Sequence, residues 1–261
     1  MLGNNKNSFN HLKIHTQYSI CEGALKIEDL KSHCKKNKVQ SVGLSDTSNL
    51  CGALEFAENL SKIGTQPIIG TQINFKYKEM IGLMPLFAMN ISGYKRIIEL
   101  SSKSYLENDG LTEPHCDFSE LVKNNAGMAI FSGTIDGLIG KLFNKGKYQD
   151  IIEIYSSLKS NYKDRFYIEI QRHGDINEKA FEKYNLQKSN DLNIPIIATQ
   201  EVYYLDKNMY EAHDALICIG NKTYVNEKNR KRFTNQHYLK TEKEMSELFL
   251  DIPEALNNNY N

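Results

Sequence analysis

The chain has 261 residues and a mass of 29.9 kDa, with 32 Lys+Arg against 32 Asp+Glu. Hydrophobic residues make up 40% and charged residues 25%, an ordinary globular balance that excludes a largely disordered, collagen-like or disulfide-scaffold chain. Zero net charge and a pI near 7.0 argue against a protein whose main task is gripping nucleic acid by its phosphates.

The five cysteines, Cys21, Cys34, Cys51, Cys116 and Cys218, are odd in number and scattered, without a CxxC pair. That usage suits reduced thiols in the cytosol. The first residues are polar and carry no signal-peptide apolar core. The longest apolar stretch, 80–89, is too short to span a bilayer. A soluble, cytoplasmic protein without a membrane partner is expected.

Apolar runs rich in Ile, Val, Phe and Tyr predict strands at 9–15, 42–45, 67–75, 81–88, 128–132, 166–170 and 194–199. Helical periodicity fills most of the gaps. Ile27, Leu30 and Cys34 fall at i, i+3, i+7, and Ile91, Tyr94, Ile97 and Ile98 share one face, as do Tyr148, Ile151, Ile152 and Tyr155. Further helices are expected over 177–191, 207–219 and 242–249. Seven strands interleaved with helices imply parallel pairing and an α/β fold, with a closed barrel favoured over an open sheet. Residues 221–240 are polar and basic, with Lys228, Arg230, Lys231 and Arg232 close together. They read as a solvated extended segment.

Three segments look chemical. His11-Leu-Lys-Ile-His15 ends the first strand, and alternation puts residues 11, 13 and 15 on one face. Gln200-Glu-Val-Tyr-Tyr204 follows the last strand, where Glu201 is a candidate ligand or base. Glu169-Ile-Gln-Arg-His-Gly174 ends the sixth strand, where Arg172 and His173 are candidate phosphate or cleft contacts. Carboxyl ends of parallel barrel strands are where sites are built. No GxGxxG follows a strand, so a dinucleotide site is not indicated.

Taken together these segments are specific. The opening Phe9-Asn-His-Leu-Lys-Ile-His-Thr-Gln-Tyr-Ser-Ile-Cys-Glu-Gly-Ala24 resembles that of the polymerase-and-histidinol-phosphatase (PHP) domain of bacterial replicative DNA polymerase III alpha subunits. The resemblance continues, in order, through Gly43-Leu-Ser-Asp-Thr-Ser-Asn-Leu-Cys-Gly52, Pro67-Ile-Ile-Gly-Thr-Gln72, Phe166-Tyr-Ile-Glu-Ile-Gln-Arg-His-Gly174, Ile197-Ala-Thr-Gln-Glu-Val-Tyr-Tyr-Leu205 and Glu211-Ala-His-Asp-Ala-Leu-Ile-Cys-Ile-Gly220. It implies a distorted (β/α)7 TIM-like barrel over 1–220. Residues 221–261 would then be a basic extended segment and helix leading toward a polymerase palm that this chain does not contain.

The resemblance also implies a site. Metal-competent members hold about three metals through nine ligands, and those positions fall here on Lys13, His15, Glu22, Thr47, Gln72, Leu83, Thr134, Glu201 and Tyr203. Only His15 keeps the family's residue, while Glu22 and Glu201 keep its charge. Lys13 places a cation where cations would bind, and it is expected to pair with Glu22 or Glu201. The reading is a vestigial site with no metal and no catalytic residues, His15, Glu22 and Glu201 being the residual candidates for one weakly held ion. The role implied is a scaffold that packs on the rest of the polymerase alpha subunit and docks the proofreading exonuclease subunit, meeting DNA only within the full polymerase. The competing readings are a Zn- or Mn-dependent phosphoesterase or 3'-5' exonuclease, and an unrelated barrel enzyme using Arg172, His173 and Glu201.

Overall fold

The computed structural model describes residues 9–108 and 110–260. One sheet runs in the order β1 (Ser41–Thr47), β2 (Gln66–Tyr77), β3 (Met80–Ala88), β5 (Met128–Phe131), β6 (Phe166–Ile170) and β7 (Ile196–Ala198), with the short β4 (Cys116–Asp117) beside β2. The helices are α1 (Ile27–Asn37), α2 (Ala53–Ser61), α3 (Ile91–Leu106), α4 (Ser119–Val122), α5 (Leu138–Asn144), α6 (Tyr148–Tyr162), α7 (Glu178–Leu192), α8 (Tyr210–Asn221), α9 (Glu242–Leu248) and α10 (Pro253–Tyr260). The periodic residues do what their spacing predicts: Ile27, Leu30 and Cys34 of α1, and Ile151 and Tyr155 of α6, are buried.

Six of the predicted strands form, and the first does not. Residues 9–15 make isolated bridges instead, Ile14 to Leu44 on one side and to Val202 on the other. Those bridges join the two ends of the curled sheet into a distorted barrel. The Ile14 amide donates to Gly43 O and the Val202 amide to Lys13 O. The fit depends on Gly43, where a Cβ would lie 2.4 Å from the Leu12 carbonyl oxygen.

The expected alternation breaks in this segment. His11 turns outward, its Nε2 bonded to Lys240 O at 2.7 Å and its ring edge-on to Phe9. Leu12 instead points inward with Phe87, Phe131 and Ile197. Lys13 and His15 also point inward, so residues 11, 13 and 15 do not share a face. A strand hydrogen-bonded continuously on both sides would impose period 2, whereas isolated bridges leave the backbone free to slip by one residue.

Parallel pairing holds for β1–β2, β5–β6 and β6–β7, but β3 runs antiparallel to both β2 and β5. Only Lys78 and Glu79 separate β2 from β3, with Lys78 at φ +52. A two-residue connection permits a hairpin and no crossover.

Side chains from strands that are not neighbours can meet only inside the curl. Leu12, Phe87 (β3), Phe131 (β5) and Ile197 (β7) form such an inner apolar plug. The larger core lies outside the sheet, beneath α3, α5, α6, α9 and α10, and a second outer cluster packs α1 and α2 against Ile14, Val42 and Leu44. Helix α9 begins with a capping box, Thr241 accepting from the Glu244 amide and Glu244 reaching back to that of Thr241. Its Met245, with Phe249 and Ala255, joins the main core.

Helix α10 was not anticipated in the Asn-rich end. Asn propensity for helix is poor, but Asn259 is buried and ties two distant segments together: it accepts from the Asn10 amide and donates to the Asn10 and Ala198 carbonyls. Among the described residues no helix is long and apolar enough to cross a membrane.

Candidate functional site

The inward residues of β6, β7 and the following segment step up from the apolar plug: Tyr167, Glu169, Gln171 on one strand and Ile197, Thr199, Glu201 on the next. Above the plug they form a charged layer. Lys13 is completely buried. Its Nζ lies 2.5 Å from Glu201 Oε1 and 3.1 Å from Glu169 Oε1.

Glu201 in turn bonds His15 Nε2 through Oε2, and Gln72 Nε2 donates to both Glu201 oxygens at 3.1 and 3.2 Å. Thr199 Oγ1 and Gln171 Nε2 donate to Glu169 Oε1. Burial by itself would push the Lys13 ammonium toward neutrality, but Glu169 and Glu201 outweigh it and raise its pKa. Burial likewise opposes the Glu201 carboxylate, and Lys13 and His15 overcome it, holding that carboxyl well below the usual range. The layer is therefore paired and hydrogen-bonded, with Lys13 and Glu201 each favoured in the charged form by the other.

The pairing expected of Lys13 is thus found with Glu201. It is not found with Glu22, whose Oε2 accepts from Thr47 Oγ1 at 2.6 Å. Glu169, the second partner, was missed. Its signal was the inward period of 167, 169 and 171, which identifies the face without naming what stands across the barrel.

Above this layer a cleft of about 110 Å³ opens at the carboxyl end. Its walls bring together His15, Glu22, Thr47, Gln72, Leu83, Thr134, Glu201 and Tyr203, with Lys13 directly beneath. Register explains part of this, since Thr47 and Gln72 are partners across β1 and β2. Asp46 organises the wall behind them: it accepts from the Thr16 amide and from the Thr16 and Ser19 hydroxyls, and it is fully buried. Burial raises its pKa against the pull of those donors.

Tyr203 stacks on His15 with centroids 4.4 Å apart, and it also contacts His213, Phe233 and His237. None of the last three was read as a cleft residue. His213, on α8, is buried and its Nε2 bonds Glu22 O.

His173 is in the cleft wall and is only 2% exposed. Its Nε2 accepts from the Glu201 amide at 3.1 Å, so Nδ1 carries the hydrogen donated to Glu178 Oε1 at 2.8 Å. Burial lowers its pKa to about 3 and pushes the Glu178 carboxyl up to about 7. Arg172 is not in this cleft. Its guanidinium is held by Glu182 and Asp251, donates to Leu248 O and lies over the Phe249 ring. It fastens α7 to the end of α9 and has no donor pair to spare for a phosphate.

The donor set does not fit a metal cluster. A buried ammonium stands against the two central carboxylates, and Glu22 turns aside to Thr47. Among the described residues no group of three or more His, Cys, Asp or Glu is placed to hold a metal ion. The closest approach of donors, His15 to Glu201, is used by a hydrogen bond within the layer.

Comparison with known proteins identifies the family. The PHP domain family model matches residues 11–173. The chain is 35% identical over 259 residues to the DNA polymerase III subunit alpha of Caulobacter vibrioides, covering 96% of this chain and 23% of that protein. To the same subunit of Vibrio cholerae it is 31% identical over 254 residues, covering 96% and 22%. The chain thus spans less than a quarter of the length of these relatives. A solved two-domain protein from Bacteroides vulgatus, described as containing a predicted PHP-like metal-dependent phosphoesterase, shares the fold with a TM-score of 0.50 at 11% identity, covering 94% of this chain and 64% of that one. The chain belongs to the PHP family, as a domain that matches the N-terminal region of DNA polymerase III alpha subunits.

Proposed function

We propose that this chain is a non-catalytic PHP module of a cytoplasmic replicative polymerase, in which a buried ion-paired layer takes the place of the family's metal cluster. The observation that carries the reading is Lys13 Nζ set between Glu169 and Glu201. A carboxylate already satisfied by an ammonium and two or three hydrogen bonds has little to offer a divalent ion, and a cation in the same layer repels it. After incubation of the purified chain with zinc and manganese and desalting, less than about a tenth of an equivalent of metal is expected to remain, because a working site retains about one. One or more retained equivalents, together with phosphate-ester hydrolysis, would return the cleft to metal-assisted chemistry.

The partners follow from the same reading. The rest of an alpha subunit would cover part of this domain's outer surface, and DNA would be met only through that larger assembly. The zero net charge supports this, since the domain by itself presents no excess of cations to a phosphate backbone. A domain that does not cleave nucleic acid leaves proofreading to a separate subunit, so docking of an exonuclease subunit is the assigned interaction. Calorimetric titration with the tail of such a subunit is expected to give a dissociation constant at or below about 1 μM. No heat at concentrations of tens of micromolar would remove the docking role.

A further inference from the structure

The basic segment after α8 is not simply solvated, and its path has a consequence for the cleft. It leaves α8 at Lys222, in the left-handed conformation at φ +53, and crosses the barrel mouth without helix or strand. It rejoins the barrel where Tyr238 bridges Tyr204. Between those ends Arg232 donates to Tyr210 Oη and lies 3.7 Å from Asp214 Oδ1, Gln200 donates to Gln236 O, and two further attachments hold the segment.

The first is Arg230. Its guanidinium grips Asp214 of α8 in a two-pronged pair at 2.7 and 2.6 Å, and both side chains are 5% exposed or less. The same guanidinium donates to Val225 O at 3.1 Å, gathering its own loop. The second is Phe233. Its ring lies 4.9 Å from Tyr203 and 5.0 Å from His237, Tyr210 Oη donates to its carbonyl, and the Thr234 hydroxyl donates to His173 O. Phe233 thereby stands in the cleft mouth on the Tyr203–His15 stack.

These attachments differ in kind. The Phe233 contact is a modest apolar and aromatic one. The Arg230–Asp214 pair is desolvated, and removing one member strands the other. We propose that residues 223–236 are a latch over the cleft, pinned by the Arg230–Asp214 pair, so that this pin sets how often the cleft opens. This goes beyond the proposed function, because the latch acts on the cleft mouth whether or not the floor below holds metal.

Trypsin reads the pin directly in the full chain. It must take the basic side chain into its own acidic pocket, so the bond after Arg230 is cut only when that guanidinium has left Asp214. Under conditions where opening is fast relative to cleavage, the rate reports the open population. In the wild-type chain the bonds after Arg230 and Arg232 are expected to be cut more slowly than that after the exposed Lys228. Asp214→Asn is expected to speed both about tenfold, with lysines of α1 and α6 cut at the wild-type rate. Unchanged cleavage after Arg230 and Arg232 in Asp214→Asn would overturn the latch. If Asp214→Asn were cut throughout from loss of the fold, Arg230→Lys decides: it keeps the charge but loses the fork, and faster cutting confined to 228–233 supports the pin, whereas no local change removes it. Retained metal would overturn the non-catalytic reading and leave these cleavage rates unaffected, so the two failures are distinguishable.

Discussion

Lys13→Met is expected to lower the stability of this domain by about 3–5 kcal/mol, the cost of stranding buried charge when one partner of an ion pair is removed. Glu169 and Glu201 would each keep a negative charge in the barrel interior, with only neutral donors and His15 to answer it. For a chain of this size that corresponds to a fall in Tm of about 6–20 °C. The combined variant Lys13→Met, Glu169→Gln, Glu201→Gln should recover much of the loss, because the penalty lies in uncompensated charge and not in lost volume. Such non-additivity is the signature of a shared network. Thermal denaturation of the two variants beside the parent checks both statements. A single variant that melts within about 2 °C of the parent would show that the layer is not held by this ammonium.

The second large effect is acid lability between pH 7 and 5. Burial lowers the pKa of His11 to about 4 and of His173 to about 3, and it carries His237, stacked on His173 at 4.0 Å, well below its ordinary value. In each case the folded pKa lies beneath the unfolded one near 6.5. The folded state therefore resists protonation, and stability is full above pH 6.5 and lost as pH falls toward the folded value. At pH 5 His11 and His173 each cost about 2 kcal/mol by linkage, and His237 acts in the same direction. Glu178 acts in the opposite sense. Its folded pKa is raised to about 7, so it gains stability as pH falls through that value and offsets about one histidine. Glu201, held below the carboxylate range, stays ionised throughout the window and contributes no slope.

The net expectation is a loss of at least about 2 kcal/mol between pH 7 and 5, read by urea denaturation at the two values. His11→Gln, remote from the cleft, should reduce that loss by about 2 kcal/mol, while Glu178→Gln should deepen it. Equal stability at pH 5 and pH 7 would mean that these rings take up protons without leaving their places.

The charged layer and the latch divide the work of the cleft. Below, Lys13 and its carboxylates form a rigid floor whose members are all buried and paired. Above, Tyr203 carries that floor upward by stacking His15 on one side and meeting Phe233 and His237 on the other. Tyr203 and Lys13 stand at two of the positions that family resemblance assigns to metal ligands. Together they hold the cleft by ion pairing below and ring packing above.

The features legible along the chain are local in origin. The 3.6-residue spacing of Ile27, Leu30 and Cys34 specifies α1, and the β-branched runs specify six of the strands, because both signals arise between residues a few positions apart. Eight of the nine positions that the ordered blocks single out line one opening. Relations across the barrel arise only on folding. Glu169 reaches Lys13 over a separation of 156 residues. Leu12 rather than His11 faces inward because Gly43 admits the backbone of a segment held by bridges alone. Arg172 is spent on Glu182 and Asp251, and Arg230 on Asp214, although both look like free cations in the sequence. Periodicity reports which face a residue occupies. Only closure of the sheet fixes which charge stands opposite, and in a buried layer that opposite charge decides whether a carboxylate is a ligand or half of an ion pair.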